Sequence, residues 1–329
     1  MSGRKPRARQ RTADRVPTLT RRRLLAGLSA TALAPAAVHA APRGGDLIGR
    51  LRFHLTRRET ILLDVARQWD LGILEISAAN PGIDPWIPPP DRLVLLPTAH
   101  LLPDAPRRGI VINLAELRLY YFRRDGAVET HAIGIGRQGR ETPLGATRIV
   151  RKARNPTWYP PASLRREDPT LPRVVPPGPD NPLGTRALYL GWPSYLIHGT
   201  IKPYGVGRRV SAGCIRMYPE QIEAMYERVP VGTPVRVVEQ PIKVGWHGGE
   251  LWLEAHPDYD QLDELEIRYT MTPKPPPAGA FDHIRRRAGA RAHEIDWDLV
   301  EAELVARRGY PVRVTGRRRE TTAAVTGLY

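Results

Sequence analysis

Proline sets the strongest constraint on how this chain can fold. There are 34 of them in 329 residues. Each holds φ near about −65° and removes a backbone donor, so a mostly helical protein is disfavoured and loops and extended segments are favoured. Short apolar runs separated by turn residues point the same way. The length allows one large domain or two smaller ones, with a substantial buried core.

The formal net charge of +16 resembles that of a nucleic-acid-binding protein, but its distribution argues against one. Residues 1–23 hold Arg4, Lys5, Arg7, Arg9, Arg11, Arg15, Arg21, Arg22 and Arg23 against Asp14 alone, a net +8 that is half of the total. The remainder is dispersed, with a late cluster at Arg317, Arg318 and Arg319. A mildly basic body suits an anionic polymer of the cell envelope, or is simply a solvated surface.

After the basic stretch, residues 24–37 are apolar and end in Val38-His39-Ala40. Basic region, apolar region and small-residue site together predict a secretory leader over residues 1–40 and an exported, periplasmic or envelope protein. The run is shorter than the roughly 20 residues of a bilayer span. Thr20-Arg21-Arg22-Arg23-Leu24-Leu25 is similar to a twin-arginine export motif, and an uncleaved anchor is the alternative. Contact with the membrane is expected only through this leader.

An exported chain usually pairs its cysteines. This one has a single cysteine, Cys214, so no internal disulfide can form. Such a thiol is a small buried hydrophobe, an intermolecular bridge or a reactive group. Its surroundings favour the last. It lies in Ser211-Ala212-Gly213-Cys214-Ile215-Arg216, and His198-Gly199-Thr200 stands upstream at the end of a strand-like run. A thiol needs a neighbour that takes its proton, and histidine is the usual one. Gly213 permits close backbone approach. Residues 219–228 read as a helix with Ile222, Met225 and Tyr226 on one face.

His198-Gly199-Thr200 followed by Ser211-x-Gly213-Cys214-x-Arg216 resembles the signature of the YkuD-type L,D-transpeptidase catalytic domain. The resemblance spans residues 109–239. It takes in Ile110–Leu114, Leu117–Phe122, Gly134-Ile135-Gly136, Thr142-Pro143-Leu144-Gly145 and Asn155-Pro156-Thr157-Trp158. The family often has His directly after the Ser, where this chain has Ala212.

The resemblance implies a twisted β-sandwich with one helix near the cysteine, hence a mainly β (α+β) fold with short helices. It implies that Cys214 attacks an L,D-linkage of a peptidoglycan stem peptide and forms a thioester, and that an amine then resolves it. His198 is the implied base, oriented by the Gly199 carbonyl, and the amides of Gly213 and Cys214 are the implied oxyanion donors. Arg216 is expected either to hold the turn or to pair with a substrate carboxylate, and Ser211 to bond within the turn or near the thiol. Acylation of Cys214 by carbapenems is implied too. No cofactor and no metal is expected. The implied partners are stem peptides and glycan strands, with an envelope protein as an alternative acceptor to a second stem. Water as acceptor would make the enzyme a carboxypeptidase, and a degenerate site would leave a peptidoglycan anchor.

The proline-rich stretch 153–185 is too long for an ordinary connection and reads as a lid or binding loop. Trp158 within it either covers the thiol and stacks on substrate or pins the loop to the core. Residues 51–98 show a strand, two helices (60–70 and 73–79) and a strand (93–96), and resemble a LysM glycan-binding module; a structural cap is the alternative. Residues 240–271 resemble the extension that follows the catalytic domain in Gram-negative members. Residues 272–329 read as a proline-rich linker and tail, with a helix at 298–308 stopped by Gly309.

Two further patterns are set aside. Gly134-Ile135-Gly136-Arg137-Gln138-Gly139 fits a dinucleotide fingerprint, but Thr142-Pro143 follows where a helix would be needed. The remaining histidines lack metal-ligand spacing.

Overall fold

The computed structural model describes Val38–His39 and residues 45–316. The expected leader therefore lies outside the described residues except for Val38–His39. Among the described residues no helix is long and apolar enough to cross a membrane.

The chain begins with β1 (Val38–His39), β2 (Leu47–Gly49) and β3 (Arg52–Leu55). Helices α1 (Leu62–Gln68) and α2 (Ile73–Ala79) follow, then β4 (Leu93–Leu96) and β5 (Ala99–Leu101). β3 pairs antiparallel with β4, and β2 with β5. The chain continues through β6 (Gly109–Asn113), β7 (Arg118–Phe122), β8 (Val128–Ala132), β9 (Ile135–Gly136) and β10 (Gly145–Arg154). It then runs through α3 (Ala162–Glu167), β11 (Arg186–Leu190), β12 (Leu196–His198), β13 (Arg209–Ser211), β14 (Ile215–Arg216), α4 (Pro219–Arg228) and β15 (Pro234–Val238). β16 (Ile242–His247) and β17 (Glu250–Ala255) form a hairpin. After them come α5 (Tyr259–Arg268), α6 (Ala280–Ala288), α7 (Trp297–Ala306) and β18 (Val312–Arg313).

A mixed sheet in the order β1-β8-β7-β6-β15-β10-β11-β12-β14 organises the body. β10 is shared by its two halves: residues 145–148 pair with β15, and residues 149–154 with β11. The register breaks between Ile149 and Arg151. A bulge of this kind bends a strand and lets it pass from one layer to the next. The curled sheet then encloses one core. Ile110, Ile112, Leu119, Val235 and Val237 from one half meet Leu188, Leu190, Ile197 and Ile215 from the other, with Ile222, Met225 and Tyr226 of α4. Pro219 opens α4 at a position where its missing N–H costs nothing.

The strand–helix–helix–strand segment shares that core through Leu62, Leu63, Ile73 and Ile76. Polar contacts fasten it as well. Arg67 grips Glu220 with two bonds, Tyr218 donates to the Leu71 carbonyl at 3.0 Å, and buried Arg118 bonds Glu75 at 2.6 Å. Gly72 and Gly207 pack so closely that a Cβ on Gly207 would lie 2.2 Å from the Gly72 Cα. Only glycine fits such an approach.

Residues 272–316 form more than the expected linker and tail, and residues 317–329 lie outside the described residues. α6, α7 and β18 pack on β16 and β17 around Leu251, Leu253, Ile284, Val300 and Leu304. α7 ends at Ala306 because Arg307 takes the left-handed conformation, two residues before the expected Gly309. Lys243 of β16 is buried between Glu116 and Glu254, and also donates to the Leu101 carbonyl. It ties the C-terminal hairpin to the body and to β5. His100 joins these two carboxylates in a cluster with metal-ligand spacing, but the Lys243 ammonium sits against both carboxylates and supplies the compensating charge.

Candidate active site

β12 and β14 run side by side and parallel, with Ile197 opposite Ile215 and His198 opposite Arg216. Cys214 immediately precedes β14. The sheet thus brings together a histidine and a cysteine 16 positions apart in sequence. The bond from the Met217 amide to the His198 carbonyl, 2.9 Å, extends this pairing.

Residues 211–214 form a turn held from several sides. Ser211 Oγ donates to the Cys214 carbonyl at 2.5 Å and accepts from the Gly213 amide at 3.1 Å. Thr142 Oγ1 donates to the Gly213 carbonyl at 2.9 Å. Gly213 has φ +104°, and a Cβ there would lie 2.9 Å from the Tyr195 ring. Both facts require glycine. The thiol donates to the Ser194 carbonyl at 3.4 Å and accepts from the Leu196 amide.

The imidazole of His198 is buried, and its Nδ1 lies 2.6 Å from the Gly199 carbonyl oxygen. A carbonyl only accepts, so Nδ1 carries the proton and Nε2 is left as the basic nitrogen. Burial, aided by the Arg216 charge, lowers the His198 pKa to about 4, against the partial compensation of the Gly199 and Leu183 carbonyls. Burial pushes the Cys214 thiol up, and the Leu196 amide and Arg216 offset this only in part. Thiol and imidazole therefore rest neutral. Burial also lowers the Arg216 pKa, and its buried Nε has no hydrogen-bond partner.

Cys214 and His198 open on one pocket of about 820 Å³. Its wall is the 155–185 segment. The backbone of Trp158 exchanges two 2.9 Å bonds with Val175, while its half-buried ring packs with Leu183 and Leu196 beside Cys214. Trp158 thus both pins the segment and lines the pocket. Arg140 holds α3 on the far side through Ser163 Oγ at 2.8 Å and through Glu167.

The residues expected at the site, Cys214, His198, Gly199, Gly213, Ser211, Arg216 and Trp158, all fall within this region. The Gly213 amide, an expected oxyanion donor, donates to Ser211 Oγ at 3.1 Å in this structure. Sequence reasoning missed the Ser194 and Leu183 carbonyls, Tyr195 and the Thr142 hydroxyl. Of these only Thr142 lay in a recognisable motif.

The family model described as the L,D-transpeptidase catalytic domain (YkuD) matches residues 107–237, close to the span expected from the motifs. "Probable L,D-transpeptidase ErfK/SrfK" of Escherichia coli (strain K12) is 38% identical over 289 residues, covering 85% of this chain and 91% of that one. "Probable L,D-transpeptidase YcfS" of the same strain is 40% identical over 235 residues, 68% of this chain and 73% of that one. Among solved structures, L,D-transpeptidase 3 from Mycobacterium tuberculosis aligns over 47% of this chain and 73% of that chain, at 20% identity and TM-score 0.34. That likeness is too distant to carry residue roles across.

Proposed function

The chain belongs to the YkuD-type L,D-transpeptidase family and is a cysteine-dependent acyltransferase acting on peptidoglycan, and from that premise we propose that Cys214 is its nucleophile and His198 its general base. The observation that carries this reading is that Cys214 and His198 line one pocket, with the Gly199 carbonyl holding His198 Nδ1.

The chemistry follows from the neutral pair. His198 Nε2 takes the thiol proton as Sγ attacks the carbonyl of a stem-peptide L,D-linkage. The Cys214 amide meets the developing oxyanion, an interaction typically worth roughly 2.7–4 kcal/mol per donor. Collapse breaks the C–N bond, and the imidazolium returns its proton to the leaving amine of the D-residue. An acceptor amine then attacks the thioester, gives its proton to His198, and releases Cys214. Arg216 suits the carboxylate of the leaving residue, while Ser211 fixes the turn. Trp158 covers the apolar side of the pocket.

The acceptor amine belongs to a second stem peptide or to an envelope protein, and the basic, apolar leader supports work outside the cytoplasmic membrane. We further assign residues 51–98 as a LysM-like glycan-binding module, which the paired β3 and β4 around α1 and α2 support. Binding of the full-length Cys214→Ala protein to glycan strands stripped of stem peptides tests that assignment. The catalytic reading is tested by incubating the enzyme with purified muropeptides, with and without a candidate protein acceptor, and weighing the products. Cross-linked or protein-linked stems support transfer. Stems shortened by one residue and never joined to an amine would make the enzyme a carboxypeptidase.

A further inference from the structure

Four arginines, Arg140, Arg151, Arg154 and Arg216, line the pocket of Cys214, and no aspartate or glutamate does. Two of the four are engaged: Arg140 by Ser163 and Glu167, and Arg154 by Glu227 at 2.8 Å. Arg216 stands next to His198 and is already given to the leaving residue. Arg151 remains. It is exposed, its guanidinium carbon lies over the Tyr189 ring 3.5 Å from the centroid, and it makes no ion pair among the described residues. A stacked guanidinium keeps its edge donors free and is well suited to gripping a carboxylate with two parallel bonds.

The sheet fixes where that carboxylate would sit. Arg151 is opposite Tyr189, and Tyr189 is opposite Leu196. The Leu196 amide in turn bonds Cys214 Sγ. Two strand spacings therefore separate Arg151 from the edge that holds the thiol, about 10 Å. Extended peptide covers roughly 3.3–3.6 Å per residue. A carboxylate reaching Arg151 is thus carried two or three residues from the scissile carbonyl, or on a long side chain nearer to it.

We propose that Arg151 selects the acyl donor: the pocket takes stem peptides that carry a free carboxylate besides that of the leaving D-residue, and Arg151 is the group that reads it. This rests on the transpeptidase function proposed above. Donors whose internal carboxyls are amidated lose the charge-assisted bonds and are poor substrates, even though their scissile linkage is unchanged.

Two synthetic tetrapeptide donors, identical except that the internal carboxyls are free or amidated, separate these effects. Thioester formation on Cys214 is followed by intact mass for the wild type, Arg151→Gln, Arg151→Lys and the control Arg148→Gln, an exposed arginine of the same strand outside the pocket. The wild type and Arg148→Gln favour the free acid by roughly tenfold or more, the size of one charge-assisted contact. Arg151→Gln brings the two donors within about threefold, and Arg151→Lys falls between. Equal rates for both donors in the wild type, or a preference unchanged in Arg151→Gln, would overturn the proposal while leaving the transpeptidase function intact. Absence of a thioester with either donor would overturn both.

Discussion

Nδ1 of His198 lies 2.6 Å from the carbonyl oxygen of Gly199, the next residue in the chain. A backbone carbonyl fixes the tautomer without adding a full negative charge, so only carbonyl dipoles favour an imidazolium here, and burial outweighs them. A carboxylate in that place would stabilise the charged ring and raise its pKa. The buried ring instead sits at about 4.

The first prediction concerns pH. The lowered His198 pKa means that the base stays competent as pH falls and is lost only near about 4, not at the ordinary 6.5. The raised Cys214 pKa means that the free thiolate appears only above the usual thiol range. Alkylation of Cys214 by iodoacetamide should climb with pH through and beyond about 8.5, with no plateau at neutral pH. A neutral plateau would reveal a preformed thiolate–imidazolium pair.

The second concerns the turn. Gly213→Ala forces a Cβ against the Tyr195 ring at φ +104°. The strain, of order 1–3 kcal/mol, falls on the residues that aim the thiol. Acylation should slow by about tenfold to a hundredfold, with a far-UV circular dichroism spectrum like that of the wild type. Unchanged acylation would mean that the turn geometry does not matter for attack.

Ser211→Ala addresses the same turn from within. It leaves the Cys214 carbonyl and the Gly213 amide without their hydroxyl partner. Urea denaturation should show a loss of about 1–3 kcal/mol, together with slower acylation. Ser211→Thr, which restores a hydroxyl, should recover part of both.

Site legibility divided along a physical line. Cys214, His198 and Arg216 were readable because residue type and short spacing announce them. The engagement of the Gly213 amide was not, because it depends on the Ser211 rotamer. Arg151 was invisible because its partner, Tyr189, becomes a neighbour only once β10 and β11 are in register. Among the elements, α2 at Ile73–Ala79, β4 at Leu93–Leu96 and α4 at Pro219–Arg228 coincide with their expected ranges. Their apolar spacing is clear and their ends carry turn residues or proline. α6 was hidden behind Pro275, Pro276 and Pro277, and it buries only a narrow stripe that includes Ala280, Ile284 and Ala288.

The buried Lys243 supports a fourth prediction. Burial works against the Glu254 carboxylate, yet Lys243 and His256 outweigh it and hold its pKa below the usual range. Lys243→Met removes the cation and leaves Glu116 and Glu254 facing each other in the interior. The expected cost is about 3–5 kcal/mol by chemical denaturation. Glu116→Gln added to Lys243→Met should return part of it. A double variant no more stable than Lys243→Met would show that charge is not the cause.

The claim on which the rest depends is that the acyl group rests on Cys214. The direct measurement is the intact mass of the protein after brief exposure to a tetrapeptide donor, for the wild type, Cys214→Ala and His198→Ala. The wild type should gain the mass of the donor less its terminal D-residue, and peptide mapping should locate it at Cys214. Cys214→Ala should gain nothing, and His198→Ala little or nothing over the same time. Transfer that persists in Cys214→Ala, or an adduct mapped to another residue, would contradict the account.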